Sequence, residues 1–352
     1  MNQGGTANWL EALVNGLRIH GDEVFLCAGF VESNEIEDNI FQSLNGYRIR
    51  SLKRNSNITA NLKSILEIRR LIKKIEPDIL NTHTGKAGFL GRIAALGLNV
   101  QVVHTYHGHL LYGYFGPLKT KLIILCEKLM NRLTDHFIAV GLKVKDELIG
   151  SGIGDESRFT VIYPAIEKPE RYQNFGKKPH QINKKITVGW LGRLERIKNP
   201  EMVMQAARFF PNINFKIGGS GTLESELCKF NGSNLILEGW VSSEKFWKEC
   251  DLALLTSRNE GIPTSLIEAS FAKLPIIATN VGSVTEVFDN KYGGFLIENE
   301  IDLFKAISFF IESPEKIELF GEANFNYASN KFSVERFLDA HLLIYSELMK
   351  RN

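Results

Sequence analysis

The chain has 352 residues, 44% of them apolar and 23% charged, with a net charge of +2. That length suits two ordinary domains, and that balance excludes a disordered or fibrous protein. The four cysteines (Cys27, Cys126, Cys228, Cys250) form no C-x-x-C pair and no apolar run reaches a membrane span, so a reducing, cytoplasmic setting is expected, at most at the inner face of the cell membrane.

The chain opens on Asn2-Gln3-Gly4-Gly5 and passes directly into a helix-period stretch over residues 8–20. Residues 23–28, 78–81, 101–106 and 136–140 read as buried strands, with helices at 58–75, 118–133 and 142–151. This alternation predicts a parallel sheet covered by helices. No strand precedes the glycine loop, so residues 1–163 read as a Rossmann-like domain lacking its first strand. Residues 164–184 are polar and hold Pro164, Pro169 and Pro179, which predicts a linker.

A second alternation follows, with strands at 186–191, 213–218, 235–238, 252–256 and 275–279. Helices are expected between them at 200–210, 223–230, 244–249 and 265–271. Residues 185–332 make the second domain and 333–352 a closing helix. The expected class is α/β: two doubly wound domains facing a cleft, with ligands beyond the carboxyl ends of the strands.

Charge is uneven. Between Arg48 and Arg132 stand fifteen Lys or Arg against four Asp or Glu, a local excess of eleven positive charges. Such a field attracts phosphates, nucleic acid or anionic lipid, although solvated helix faces give the same count. Within it, the helix at 118–133 is apolar at 118, 122, 125, 129 and 133, carries Lys119, Lys121, Lys128 and Arg132, and follows Tyr112, Tyr114 and Phe115. It reads either as a basic helix resting on an anionic membrane or as a sheet-covering helix with snorkelling lysines.

The residues with the clearest chemistry lie in the second half. After the 186–191 run comes Gly192-Arg193-Leu194-Glu195-Arg196-Ile197-Lys198, placing Arg193 and Lys198 near a helix start. An arginine fork and a lysine point charge suit the oxygens of a diphosphate; two solvated cations are the plainer reading. After the 252–256 run comes Asn259-Glu260-Gly261-Ile262-Pro263-Thr264-Ser265-Leu266-Ile267-Glu268. The amides of Thr264, Ser265 and Leu266 open a helix, an arrangement that favours an anion. Glu268 is expected to point back toward that start, suited to a ribose diol, though any acidic helix start can carry such a spacing. Gly218-Gly219-Ser220-Gly221 lets backbone approach a ligand. Trp240 and Val241 could edge a nucleobase, or Trp240 could be a packed core residue.

His83, His104, His107 and His109 lie near one another in sequence, but no carboxylate or thiolate accompanies them, so no metal is expected. The chain also has no D-x-D, a metal–diphosphate anchor. Asn81-Thr82-His83-Thr84-Gly85-Lys86-Ala87-Gly88 lacks the first glycine and the final hydroxyl of a phosphate loop and reads as a strand exit lining the cleft, with Lys86 near donor or acceptor.

The ordered set GRLERIK, GGSGTLESEL, LEGWV, NEGIPTSLIEAS and PIIATNVGSVTEV resembles the carboxyl-terminal half of glycosyltransferase family 4, a retaining group with the GT-B fold. The resemblance is strong over residues 186–288 and looser before them, and the E-x7-E pair of that family falls on Glu260 and Glu268. It implies that Arg193 and Lys198 hold the donor diphosphate, Glu268 the ribose and Glu260 the transferred sugar, with the amides after Pro263 capping the phosphates. It also places Gly4-Gly5 near the phosphates and His107, of the His107-Gly108 pair, by the reacting carbon; the absent first strand departs from the family pattern. The implied partners are a nucleotide-sugar donor, UDP favoured, and a saccharide or lipid-linked acceptor in cell-surface polysaccharide or lipopolysaccharide synthesis, with no cofactor. A sugar-nucleotide 2-epimerase and a non-catalytic nucleotide-sugar-binding subunit share such a fold. Nucleic acid is not expected, because paired carboxylates would repel its backbone.

Overall fold

A strand covered by helices on both faces needs apolar residues at nearly every position. Thr187–Leu191, Leu252–Leu255 and Ile276–Thr279 meet that demand, and almost all their side chains are buried. The computed structural model describes residues 4–31, 37, 39–53, 55, 57–108, 111, 115–167, 169–173 and 185–350. They form two units, Met1–Ala165 with Val334–Asn352, and Ile166–Ser333.

The second unit holds six parallel strands in the order Gly294–Ile297, Ile276–Thr279, Leu252–Leu255, Thr187–Leu191, Asn214–Gly218, Leu235–Gly239. From the central Thr187–Leu191 strand the chain moves stepwise to one edge, restarts at Leu252–Leu255 and moves to the other. The loops after Leu191 and Leu255 therefore part from each other, and a doubly wound sheet opens a crevice at such a switch point. Trp190, Phe215, Ile217 and Leu254 fill the core beneath.

The first unit has four parallel strands, Ile79–His83, Gln101–Tyr106, His136–Ala139 and Phe159–Val161, and a separate parallel pair, Cys27–Ala28 with Tyr47–Arg48. Among the described residues no strand precedes the Gly5–His20 helix. The strand expected over 23–28 shortens to Cys27–Ala28, since its ladder partner is the two-residue Tyr47–Arg48. The C-terminal helix Val334–Met349 belongs to this unit and lies on Gly5–His20, with Phe337 edge-on to Trp9 at 4.8 Å.

Other departures are local. The expected helix over 223–230 shrinks to Glu224–Leu227. Residues 81–88 are the exit of the strand Ile79–His83, as expected, but a helix not foreseen there, Gly85–Ala95, starts at once, with Lys86 Nζ donating to the Lys53 carbonyl at 2.7 Å. The expected linker contains a short helix, Glu170–Gln173, and the second unit already begins at Ile166; residues 168 and 174–184, with Pro179, lie outside the described residues.

The Pro117–Met130 helix is inverted relative to a sheet-covering helix. Its buried side carries Glu127, which accepts from Arg92 at 2.9 Å and from the Tyr106 hydroxyl at 2.7 Å. Leu118, Leu122, Leu125 and Leu129 are 83%, 59%, 54% and 60% exposed, a single row on the outer side. Tyr112 and Tyr114 lie outside the described residues. Among the described residues no helix is long and apolar enough to cross a membrane.

Candidate active site

The two loops that diverge at the switch point of the second unit are tied together by one buried hydroxyl. Thr256 Oγ1 accepts from Trp190 Nε1 at 2.9 Å and faces the carbonyls of Lys198 and Asn199 at 3.0 and 2.8 Å. The Arg258 amide donates to the Ile197 carbonyl at 2.8 Å. This clamp sets Lys198 Nζ at 2.5 Å from Glu260 Oε1, which also accepts from Ser257 Oγ at 2.6 Å. A buried carboxylate with a cation and a hydroxyl on it is fixed in direction.

Three residues beyond Glu260, Pro263 precedes the helix Thr264–Phe271, whose first turn has no acidic side chain to fill its positive end. Of the three amides expected there, Leu266 already donates to the Pro263 carbonyl at 3.1 Å. Thr264 and Ser265 remain to meet an anion. Their side chains are half-buried.

Glu268 lies in the second turn of that helix and is buried. Its carboxyl group faces the hydroxyls of Ser243 and Tyr172, which stand 2.9 Å from each other and share their two hydrogens among the three groups. Burial pushes its pKa up to about 7, with the two hydroxyls pulling the other way. Tyr172 stands in the segment whose prolines suggested a linker, and no sequence pattern linked it to Glu268.

Arg193 is exposed on the loop after Leu191. That loop packs so closely on Gly219 (φ 128°) that a Cβ there would lie 1.9 Å from the Gly192 carbonyl oxygen, so only glycine fits. The Gly219 amide in turn donates to the Gly239 carbonyl at 2.6 Å, bringing the loops after three neighbouring strands together. Trp240, next in the chain, is 59% exposed, which removes the core alternative; Val241 is half-buried.

In the first unit, Gly4 has φ 136° and Gly5 begins the first helix. His107 follows the Gln101–Tyr106 strand, and its Nε2 lies 3.0 Å from Nδ1 of His83, the last residue of the neighbouring strand. Burial, then the positive charge His341 could carry, pushes the His107 pKa down to about 3, so the ring is neutral at ordinary pH. His104 turns instead to Thr82 Oγ1 at 2.8 Å. His109 lies outside the described residues, and among those described no three His, Cys, Asp or Glu side chains gather as metal ligands would.

Residues 3–168 match the family model described as Glycosyltransferase Family 4, and residues 173–327 the one described as Glycosyl transferases group 1. The chain is a group 1 glycosyltransferase. It is 28% identical to the Escherichia coli UDP-Gal:alpha-D-GlcNAc-diphosphoundecaprenol alpha-1,3-galactosyltransferase, over 90% of this chain and 88% of that one. It is 26% identical to the capsular polysaccharide biosynthesis glycosyltransferase CapM of Staphylococcus aureus, over 86% and 85%. Anabaena Alr3699/HepE in complex with UDP and glucose superposes with a TM-score of 0.79 at 17% identity, covering 98% of this glycosyltransferase and 97% of that chain. The fold is GT-B, with two Rossmann-like units. These matches do not favour the epimerase reading.

Proposed function

We propose that this glycosyltransferase moves a hexose from a UDP-sugar to a lipid-linked saccharide, with retention at the anomeric carbon and without a metal ion, during assembly of a cell-surface polysaccharide. The observation that carries the reading is the clamped Lys198–Glu260 pair at the switch point, with Glu260 four residues before the open helix start at Thr264. The choice of UDP and of a lipid-linked acceptor is supported by the E. coli relative, whose name contains both, and by the UDP-bound Anabaena structure.

In this reading the diphosphate lies against the Thr264 and Ser265 amides, Lys198 and Arg193, with Gly4 and Gly5 near it. Glu268 accepts from the ribose, exchanging its Ser243 and Tyr172 bonds for the sugar's. Gly219, Trp240 and Val241 edge the base. Glu260 and His107 contact the transferred hexose. As the bond from the anomeric carbon to the phosphate oxygen breaks, the acceptor hydroxyl oxygen bonds that carbon on the same face, and its proton passes to the departing phosphate oxygen. Cations and amides already aimed at that oxygen stabilise the growing charge, an effect worth several kcal/mol in comparable sites, on the order of 3 or more.

The outward leucine row of Pro117–Met130, flanked by Lys119, Lys121 and Lys128, supports a peripheral contact with anionic membrane, where a lipid-linked acceptor resides. The test is transfer itself. The protein is given UDP-galactose, UDP-glucose or UDP-N-acetylglucosamine with GlcNAc-diphosphoundecaprenol in anionic vesicles, and the product is read by mass spectrometry with its anomeric configuration by NMR. Transfer with retention that survives a chelator is expected. No UDP binding by calorimetry and no transfer from any of the three donors would end this reading.

A further inference from the structure

His107 does not stand alone. Two side chains meet it directly, His83 from the neighbouring strand and Trp9 from the Gly5–His20 helix, and Phe337 and His341 from the C-terminal helix meet Trp9 in turn. The His107 ring meets Trp9 edge-on at 5.1 Å, and Trp9 meets His341 at 5.5 Å. His341 Nδ1 lies 2.7 Å from the Phe337 carbonyl, so that nitrogen carries the proton. His341 Nε2 and Trp9 Nε1 are buried without a hydrogen-bond partner. Two unmatched polar atoms in one small cluster are a cost that a packing role would avoid, since an apolar ring fills the same space.

Burial pushes the pKa of all three histidines down, His83 well below its usual range, His107 to about 3 and His341 to about 4, so the cluster is neutral. Between two neutral imidazoles 3.0 Å apart, one nitrogen donates and the other accepts. The arrangement with His107 Nε2–H donating to His83 Nδ1 keeps both rings in the tautomer an isolated imidazole side chain prefers. Nε2 of His107 is then committed, and Trp9 fixes the ring plane. Nδ1, a bare acceptor, is the one nitrogen of His107 left without a partner among the described residues.

We propose that His83 is a positioning residue: by holding Nε2 of His107 it locks that ring in one tautomer and presents Nδ1 to a hydroxyl of the transferred sugar. The catalytic part of this inference rests on the reading that His107 contacts the hexose. The structural part does not. The tautomer of an imidazole is set by the bond its other nitrogen makes.

The experiment combines spectroscopy with kinetics on the full chain. Long-range proton–nitrogen spectra of the histidine-labelled protein should show His107 with Nε2 protonated and Nδ1 bare. An averaged pair of nitrogens, or a protonated Nδ1, overturns the proposal without any donor being present. His83→Phe keeps the ring and removes its nitrogens. We expect its His107 signals to average and its kcat, on whichever of the three UDP-sugars is turned over, to fall roughly ten- to a hundredfold, with donor KM within about twofold. His83→Asn, whose amide reaches near the Nδ1 position, should recover most of the loss. Unchanged kcat and an unchanged His107 spectrum in His83→Phe would refute the positioning role. If that variant fails to fold, the wild-type spectrum and the Asn variant decide. Wild-type turnover in His107→Ala would instead refute the contact between His107 and the sugar, leaving the tautomer result standing, so the two failures separate.

Discussion

In the second unit the polar groups at the strand ends are held by opposite charge, Lys198 against Glu260, whereas in the first unit they are neutral rings set edge-on around Trp9. The sheets differ in parallel. Six strands run without a break through the second unit, so a switch point fixes where its loops diverge, and a buried threonine clamps them. The first unit's described strands fall into two separate sheets, and its histidine is held by His83 at the next strand's end and by Trp9 of the first helix, on which the last helix packs. Where the sheet positions the loops, charge can be concentrated on them. Where helices must do so, uncharged rings avoid the desolvation cost of an ion.

The sharpest way to break this contrast is to remove the cation. Lys198→Ala should lower kcat about a hundred- to a thousandfold, because in the proposed reaction it withdraws a charge from beside the departing phosphate. It should also cost roughly 3 kcal/mol of stability by leaving Glu260 buried and unpaired. Adding Glu260→Gln should restore the stability but not the turnover. Recovery of both in the double variant would reduce the pair to a structural salt bridge and remove the charged site from the second unit.

Glu268 sharpens the contrast from within, since it is a carboxyl group in the charged unit with hydroxyls in place of a cation. Its pKa is raised from 4.5 to about 7, so between those values the folded protein binds more protons than the unfolded chain. Stability must therefore fall as pH rises from about 4.5, then level off above about 7. Glu268→Gln, which mimics the protonated form, should lack that decline and exceed the wild type at pH 8 by up to about 3 kcal/mol. Urea melts at pH 5 and pH 8 measure this, and parallel profiles for the two proteins would contradict the burial argument. UDP affinity should move the other way, tightening through neutral pH because ribose hydroxyls donate best to an ionised carboxylate. The Gln variant should lose that part of the rise.

How much of this could be read in advance follows the same division. The helix Ile58–Ile75 and the strand Gln101–Tyr106 coincide with the apolar periodicity, and most elements of the second unit fall within a residue or two, because buried parallel strands are apolar at every position. The helix Gly85–Ala95 escaped because glycines dilute its pattern. A Cβ at Gly88 would lie 2.3 Å from the His104 ring, so the position that would have signalled an apolar face had to be empty. Lys198 and Glu260 stand in motifs whose order along the chain could be recognised. Tyr172 at Glu268, and His83, Trp9 and His341 around His107, meet across long sequence separations with no periodicity to betray them. The outward side of the Pro117–Met130 helix stayed ambiguous for a similar reason: its leucines have helical spacing whichever way they face, and only the Arg92–Glu127–Tyr106 cluster beneath decides it.

That helix gives the smallest and most local test, asking whether the two units also differ in what lies outside them. The exposed large apolar residues of the second unit are spread over separate elements, as Phe209, Ile236, Tyr292 and Leu319 show, whereas Leu118, Leu122, Leu125 and Leu129 form one row beside Lys119 and Lys121. Leu122→Glu should weaken flotation with anionic vesicles about fivefold, the partition change for roughly 1 kcal/mol of lost apolar burial. Lys119→Gln should do about the same by removing one charge near the surface, and its effect should vanish in vesicles of neutral lipid. Because both side chains already face water, each substitution should change stability by no more than about 0.5 kcal/mol. Equal flotation of the variants and the wild type, with stability intact, would leave the leucine row without a membrane and move the proposed acceptor encounter to another surface. A large loss of stability would show instead that the row packs against protein.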